Sequence, residues 1–159
     1  MAARSPVIRA FAPADAGATA QLFYESIHGG AAGAYTPEQL RAWAPAPPAV
    51  EEWAALLSAM TTLLAVEAGE PVGFMSLDTN GHIDRAFVRP DRLRTGVASA
   101  LYAAIEERAR ERGLTRLTTD ASAIARAFFE RKGWRVVREQ QPVRNGVALT
   151  NYRMEKHLD

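Results

Sequence analysis

The residues best suited to chemistry lie in segment 87–101, where a basic loop leads into a helix. Arg89, Arg92 and Arg94 carry the positive charge of the loop, and Gly96 and Ala98 open the helix with almost no side chain. A helix N-terminus exposes unpaired backbone N–H groups and a partial positive charge, and small residues leave both open to a bulky anion. The segment therefore predicts a phosphate site with charge-assisted contacts from the arginines. Close packing of the helix on a sheet would explain the small residues equally well.

Other phosphate sites and metal sites are not indicated by the sequence. The segment matches neither G-x-x-x-x-G-K-[ST] nor G-x-G-x-x-G, the patterns of nucleoside triphosphate and dinucleotide sites. The chain has no cysteine, which excludes disulfides, thiolate metal ligands and cysteine nucleophiles. His28, His82 and His157 lack the spacing of metal ligands, so we expect no metal.

The composition is typical of a globular protein, with 48% hydrophobic and 23% charged residues among 159. This length predicts one domain over residues 1–159. A net charge of +1 is too small to indicate a nucleic-acid-binding protein. No apolar run approaches the ~18 residues of a membrane span, and no secretory signal is visible. We therefore expect a cytoplasmic location, with neither nucleic acid nor membrane as a partner.

The hydrophobic pattern predicts an α/β (α+β) chain with the order βααα-βββ-α-β-α-ββ. Asp15 is the predicted N-cap of the first helix, and Thr36 and Gln39 form a capping box for the second. The predicted strands are 7–11, 61–68, 72–78, 82–88, 115–120, 134–141 and 147–157. The predicted helices are 13–28, 37–44, 50–60, 96–112 and 122–132.

The sheet built from these strands should be mixed. Asn80-Gly81 and Asn145-Gly146 are strong turn signals, which favour antiparallel hairpins near both ends of the sheet. The strand–helix–strand unit in the middle favours parallel pairing between the strand ending at Val88 and the strand at 114–120. The phosphate-binding helix start lies in that crossover.

Two runs together resemble the GNAT superfamily of N-acetyltransferases, of the bacterial small-domain type. Residues 93–98 resemble the family's Q/R-x-x-G-x-G/A run, which holds the pyrophosphate of acetyl-CoA. The later A-x-x-F-F-E-R-K-G-W run resembles its N-x-x-A-x-x-L-Y-E-K-x-G-F helix. The likeness covers about residues 62–158, and the loop with Tyr35 resembles a bacterial subgroup. It implies the GNAT fold, a mostly antiparallel twisted sheet of about seven strands flanked by helices and splayed at the parallel step.

The resemblance implies an enzyme that moves the acetyl group of acetyl-CoA to a primary amine of a small molecule or peptide. The amine would attack directly in a ternary complex, the backbone N–H of Val88 would polarise the thioester carbonyl, and a homodimer is possible. The acceptor side would be lined by Glu25, His28 and Tyr35. The residues expected to hold acetyl-CoA are Phe87, Val88, Arg92, Leu93, Arg94, Thr95, Gly96, Val97, Ala98, Ser99, Ser122 and Phe129.

Three positions depart from the family pattern. Leu93 replaces the Gln or Arg of the first run, and Ser122 replaces the asparagine of the second. Phe129 replaces the tyrosine that often protonates the leaving thiolate, although a thiol pKa of ~8.5 allows departure without an acid. Leu93 and Phe129 keep a second function open, a non-catalytic acyl-CoA-binding sensor or interaction module of GNAT fold.

Asp84 is the candidate base or amine anchor. In a regular strand His82, Asp84, Ala86 and Val88 would point to one face, which places Asp84 on the same face as the thioester contact. The alternative is a strand-edge carboxylate paired with an arginine, such as Arg85 or Arg116. Both interpretations are open at this point.

Overall fold

A computed structural model describes residues 5–159 and contains a seven-stranded mixed sheet flanked by five α-helices. The helices are α1 Ala16–Glu25, α2 Pro37–Trp43, α3 Val50–Ser58, α4 Val97–Glu111 and α5 Ala125–Arg131. The strands of the sheet are β1 Val7–Ala10, β2 Thr61–Glu67, β3 Glu70–Leu77, β4 His82–Val88, β5 Arg116–Ser122, β6 Arg135–Gln140 and β9 Asn151–His157. β7 Val143–Arg144 and β8 Val147–Ala148 form a separate two-stranded ribbon. None of the helices described in residues 5–159 is long and apolar enough to cross a membrane.

The strand order is β1-β2-β3-β4-β5-β9-β6. Every neighbouring pair is antiparallel except β4 and β5, so the predicted mixed sheet with one parallel step is confirmed. The parallel pairing is short, with His82 opposite Thr118 and Ile83 opposite Thr119. Beyond those pairs β4 and β5 separate, and the sheet is splayed there as expected.

Local sequence signals explain where the helices begin. Thr36 Oγ1 accepts a hydrogen bond from Gln39 N–H at 3.1 Å, and Gln39 Oε1 accepts one from Thr36 N–H at 2.9 Å. This is the predicted capping box of α2. Asp15 stands at the N-cap position of α1, but its carboxylate accepts from Ala12 N–H at 2.9 Å and from Arg9. Asp15 therefore caps the 3₁₀ turn that precedes α1 rather than α1 itself.

Two hydrophobic cores lie on opposite faces of the sheet. One, which includes Leu101 and Ile105, packs α4 and α5 against one face. The other, which includes Leu22 and Trp53, packs α1 and α3 against the opposite face. Phe74 and Met75 are neighbours on β3 and belong to different cores, as the alternation of side chains along a strand requires.

The close approach of α4 to the sheet depends on Gly73 of β3. A Cβ atom at position 73 would lie 2.9 Å from Val97 Cγ1, 3.1 Å from Leu101 Cδ1 and 3.2 Å from the Phe87 carbonyl oxygen. We expect Gly73→Val to lower the free energy of unfolding by about 2–3 kcal/mol because it overpacks this contact. Denaturant unfolding would measure the change.

Gly17 on the exposed surface of α1 is the matched control. A Cβ there meets no heavy atom within 4 Å, and alanine is a better helix former than glycine, so Gly17→Ala should stabilise the chain by up to about 1 kcal/mol. A Gly73→Val protein as stable as the wild type would show that α4 does not depend on this contact.

Candidate functional site

Two cavities meet where β4 and β5 separate. The larger has a volume of about 450 Å³ and the smaller about 260 Å³. Trp43, Phe87 and Ser122 line both of them. The larger cavity is lined from both faces of the sheet, since Phe74 and Met75 both contribute to it. A molecule in the larger cavity can therefore reach a second molecule in the smaller one through the opening in the sheet.

The larger cavity ends at the start of α4. Gly96 is the N-cap, with φ of +94°, and no heavy atom lies within 4 Å of the position that its Cβ would occupy. Packing therefore does not require glycine at 96, and the close approach of α4 to the sheet lies at Gly73. Glycine is favoured at 96 by its left-handed backbone, and it leaves the helix N-terminus bare toward the cavity. This geometry supports the phosphate-site interpretation over the packing one.

Arg92 and Arg94, the two loop arginines nearest α4, differ in whether they form ion pairs. Arg92 Nε lies 2.7 Å from Glu67 Oε2, and its Nη1 lies 3.2 Å from Asp91 Oδ2. Arg94 lines the cavity, is exposed, and has no ion-pair partner among residues 5–159. Of these two arginines, Arg94 is therefore the one whose guanidinium is unpaired within the described chain.

Most of the residues expected to hold acetyl-CoA line the larger cavity. They are Phe87, Val88, Arg92, Leu93, Arg94, Gly96, Ala98, Ser99, Ser122 and Phe129. Thr95 and Val97 do not line it within the described chain: Thr95 Oγ1 donates to the Arg92 carbonyl at 2.5 Å, and Val97 is buried in the core under α4. Leu93, 42% exposed, places an apolar side chain where the family has Gln or Arg.

The backbone N–H of Val88 points into the gap. Val88 stands opposite Gly73 of β3, and the N–H of the next residue, Arg89, donates to the Val72 carbonyl at 2.8 Å. Because N–H groups alternate between the two sides of a strand, the N–H of Val88 points away from β3, toward the part of β5 that β4 does not pair with. The carbonyl of Val88 accepts a hydrogen bond from Ser26 Oγ at 2.8 Å, which holds this part of the strand in place.

A β-bulge at Asp84 changes which residues share a face. Ser76 of β3 pairs with Arg85 and Leu77 pairs with Ile83, so Asp84 is the extra residue. The prediction that His82, Asp84, Ala86 and Val88 share one face is therefore wrong. Ala86 and Val88 line the larger cavity and pack toward the α4 core, whereas His82 and Asp84 line the smaller cavity.

The smaller cavity holds five side chains that can carry charge: His82, Asp84, Arg85, Asp120 and Arg144. Asp84 is ion-paired with Arg85, the contact expected of the alternative interpretation, and it also lines the smaller cavity. The Arg85 guanidinium lies 5.1 Å from the centroid of the Trp53 ring, a cation–π contact that fixes it in the wall.

His82 and Asp120 meet across the parallel step. His82 Nε2 lies 3.6 Å from Asp120 Oδ2, and its Nδ1 lies 2.8 Å from Thr118 Oγ1. Arg153 Nε lies 2.8 Å from the other oxygen of Asp120. Sequence reasoning did not propose a site role for His82 or Asp120. The available signal was the predicted parallel step, which places the strand carrying His82 beside the strand carrying Asp120.

Of the three residues expected on the acceptor side, Tyr35 lines the smaller of these two cavities, whereas Glu25 and His28 line neither. Its hydroxyl donates to the Thr150 carbonyl at 2.6 Å and accepts from Ala123 N–H at 2.9 Å. Burial raises the pKa of Tyr35. The hydroxyl therefore stays protonated and joins two loops at the wall of the smaller cavity.

Glu25 and His28 lie outside both cavities of the described chain. Glu25 accepts a hydrogen bond from Gln21 Nε2 at 3.0 Å on the exposed side of α1. His28 Nε2 lies 2.7 Å from the Ala44 carbonyl, and its ring lies 4.3 Å from that of Tyr24. Ser26–Gly30 continues α1 as a wider π turn, and this turn directs Ser26 rather than His28 at β4.

Phe129 lies between the larger cavity and the core, at 1% exposure. Its ring centroid is 4.9 Å from that of Trp134, whose Nε1–H donates to the Tyr102 hydroxyl at 2.9 Å. No tyrosine of residues 5–159 lines the larger cavity. Within that same range no three His, Cys, Asp or Glu residues are grouped so as to hold a metal ion.

Comparison with known sequences gives the same family as the motifs. The sequence profile of the family described as "Acetyltransferase (GNAT) domain" matches residues 31–156. The uncharacterized N-acetyltransferase YafP of Escherichia coli (strain K12) is 34% identical over 149 residues, which are 92% of this chain and 93% of YafP.

Solved structures are similar over nearly the whole chain. A GCN5-related N-acetyltransferase from Rhodopseudomonas palustris is 39% identical, with a TM-score of 0.93 over 99% of each chain. A GNAT superfamily phosphinothricin acetyltransferase from Sinorhizobium meliloti, solved in complex with acetyl-CoA, has a TM-score of 0.77. It is 16% identical and is matched over 98% of this chain and 89% of its own, a likeness that shows the fold.

Proposed function

Because this chain belongs to the GNAT acetyltransferase family, we propose that it moves the acetyl group of acetyl-CoA directly to a primary amine of a small molecule or peptide. The observation that carries the proposal is the meeting of two different cavities at the gap between β4 and β5. The larger ends at a bare helix N-terminus beside Arg94. The smaller is lined by ionisable groups.

In this proposal the larger cavity holds acetyl-CoA. The pyrophosphate lies at the N-terminus of α4, against its N–H groups and Arg94. The pantetheine arm lies between β4 and α5, where Ala86, Phe128 and Phe129 give an apolar wall. The thioester carbonyl accepts a hydrogen bond from Val88 N–H, the donor that points into the gap. Ser122, which lines both cavities, lies beside the point where they join.

The reaction is an attack of the neutral amine on the thioester carbon. A C–N bond forms, the C–S bond breaks, and the negative charge that develops on the carbonyl oxygen is stabilised by Val88 N–H. The proton of the attacking ammonium must leave first, because an ammonium has no lone pair. Asp84 and the His82–Asp120 pair are the groups of the smaller cavity that can accept it, directly or through water. With phenylalanine at 129, CoA leaves as the thiolate, and the second proton of the nitrogen passes to water as the amide forms.

Asp84→Asn should reduce kcat/KM for a cationic amine by about 100-fold, the lower end of the range typical of general base catalysis and within that of a lost charge pair. The substitution leaves the Arg85 cation without its counter-ion in the cavity wall, so an incoming ammonium is repelled. The loss should shrink as pH approaches the pKa of the amine itself, where neutral amine is abundant. Initial rates over a pH series would show this.

The double variant Asp84→Asn/Arg85→Gln is the matched control, since it removes both charges of the pair. An electrostatic role predicts partial recovery of kcat/KM in the double variant. A loss that is independent of pH and unchanged in the double variant would assign Asp84 a structural role.

A panel of primary amines with acetyl-CoA tests the proposed function. Free thiol and acetylated amine should appear in equal amounts, and neither should form without the protein. Acetyl-CoA binding with no turnover on any class of amine would instead favour the acyl-CoA-binding module.

A further inference from the structure

We infer that the acceptor carries a carboxylate beside its amine, as a free amino acid does, and that Arg144 binds this carboxylate. The inference rests on the proposed function and names the substrate class of the smaller cavity. It follows from the charges in the wall of that cavity, from the contacts that hold Arg144 there, and from the size of the cavity.

Arg144 is the permanently charged side chain of the smaller cavity whose charge is not already used. Asp84 and Arg85 are paired with each other, and Asp120 is paired with Arg153. Arg144 has neither an ion pair nor a side-chain hydrogen bond with any residue in 5–159. An unpaired guanidinium can bind a carboxylate through two parallel N–H···O hydrogen bonds.

The ribbon β7–β8 holds Arg144 in the wall. At its turn, Asn145 Nδ2 donates to the Ala42 carbonyl at 2.7 Å, and Gln39 Nε2 donates to the Ala148 carbonyl at 3.1 Å. Beyond β8, Leu149 is buried in the core shared with α1 and α3. The backbone that carries Arg144 is thus fixed to α2 and to the core, which keeps the exposed Arg144 side chain at the edge of the cavity.

A second hydrogen-bond donor, the side-chain amide of Asn151, lies in the wall of the smaller cavity. Asn151 Oδ1 accepts a hydrogen bond from Gln140 Nε2 at 3.0 Å, so the oxygen of this amide already has a partner. Its amide nitrogen has no partner among the described residues and can donate to the same carboxylate.

The balance of charge disfavours other acceptors. Two carboxylates and two guanidiniums line the cavity, and Arg153 adds a further positive charge behind Asp120. A polyamine, with several positive charges, would meet no uncompensated carboxylate here. A volume of about 260 Å³ is below the usual range of ~300–1,000 Å³ for drug-sized ligands and suits a reacting group of amino-acid size.

The test compares each of several L-amino acids with its carboxamide, which keeps the shape of the acceptor and removes the negative charge. In the wild type we expect kcat/KM to favour the acid by about 10- to 100-fold, the range of a charge-assisted hydrogen bond. Arg144→Gln should reduce this preference at least tenfold, mainly through the KM of the acid. Arg108→Gln is the control, since Arg108 is exposed on α4 and lies outside both described cavities.

The possible outcomes separate this inference from the proposed function. Equal acetylation of acid and carboxamide, or a preference for the acid that survives Arg144→Gln, would overturn the carboxylate site while leaving acetyl transfer established. If no acceptor is acetylated, the proposed function fails. Calorimetry of the CoA-loaded protein, titrated with the acid and with its carboxamide, then tests the carboxylate site by itself. The carboxylate site is supported if the wild type binds the acid more tightly than the carboxamide and Arg144→Gln abolishes this difference. It is overturned if the wild type binds both equally or binds neither.

Discussion

Val88→Pro should lower kcat by about 100- to 1,000-fold, the loss typical of removing one oxyanion-hole donor. Proline has no N–H, so this substitution removes the donor that points into the gap between β4 and β5. The side of β4 that faces the gap is unpaired at Val88, and Phe87 is already in the extended conformation required before proline. The fold and the hydrogen bond from Ser26 to the Val88 carbonyl should therefore survive.

Val88→Ala is the matched control for the loss of the valine side chain. It keeps the N–H, so kcat should stay within a few-fold of the wild type. Replacing Val88 by the corresponding α-hydroxy acid is a second test, because the resulting ester removes the N–H without the proline ring. Calorimetry and melting temperature would separate loss of acetyl-CoA binding and loss of fold from loss of kcat. A folded Val88→Pro protein with wild-type kcat would show that the thioester carbonyl is polarised elsewhere.

Gly96→Glu should weaken acetyl-CoA binding at least ~100-fold. The new carboxylate would stand in the open space at the N-terminus of α4, where the proposal places the pyrophosphate, and would compete for Arg94. A φ of +94° adds about 1–2 kcal/mol of backbone strain to any side chain at this position. Ligand at 100 times its Kd adds about 2.7 kcal/mol of stability, so the thermal shift with acetyl-CoA should be lost as well.

Gly113→Glu gives this prediction a control within the same helix. Gly113 follows the C-terminal end of α4, with φ of +73°, and a Cβ there also meets no heavy atom within 4 Å. The strain is similar, but a carboxylate is unfavourable at a helix C-terminus and favourable at an N-terminus. Gly113→Glu should therefore be the less stable variant and still bind acetyl-CoA like the wild type. Normal binding by Gly96→Glu would place the phosphate site elsewhere.

Local signals in the sequence predicted most of the fold. The capping box at Thr36, the Asn80-Gly81 turn and the strand–helix–strand unit after Val88 each specify a short-range geometry, and the structure contains all three. The separation of β4 and β5 was implied by the resemblance to the GNAT family, because a parallel step by itself does not require two strands to part. The bare start of α4 follows from the small residues at Gly96 and Ala98.

The smaller cavity could not be predicted in the same way. The bulge at Asp84 depends on how β4 pairs with β3, and no glycine or proline within β4 indicates it. Without the bulge, Asp84 is assigned to the wrong face. The Asn145-Gly146 pair predicts a turn, but the ribbon that carries Arg144 over the cavity depends on contacts with Ala42 and Gln39, about 100 residues earlier in the chain. Contacts of this range leave no periodic pattern in the sequence.

The choice between Arg92 and Arg94 also depended on distant residues. Both lie in the same basic loop, and the sequence assigns them equal roles. Glu67 on β2 pairs with Arg92, which leaves Arg94 for the ligand. The position of Glu67 relative to this loop is fixed by the tertiary fold alone.

Initial rates measured while acetyl-CoA and an amine acceptor are varied together test the central claim most directly. The claim is that both molecules meet at the gap between β4 and β5 and that the acetyl group passes between them without an acyl-enzyme. Direct transfer predicts double-reciprocal lines that intersect, with no mass increase of the protein after incubation with acetyl-CoA alone. Parallel lines together with an acetylated protein would contradict the claim.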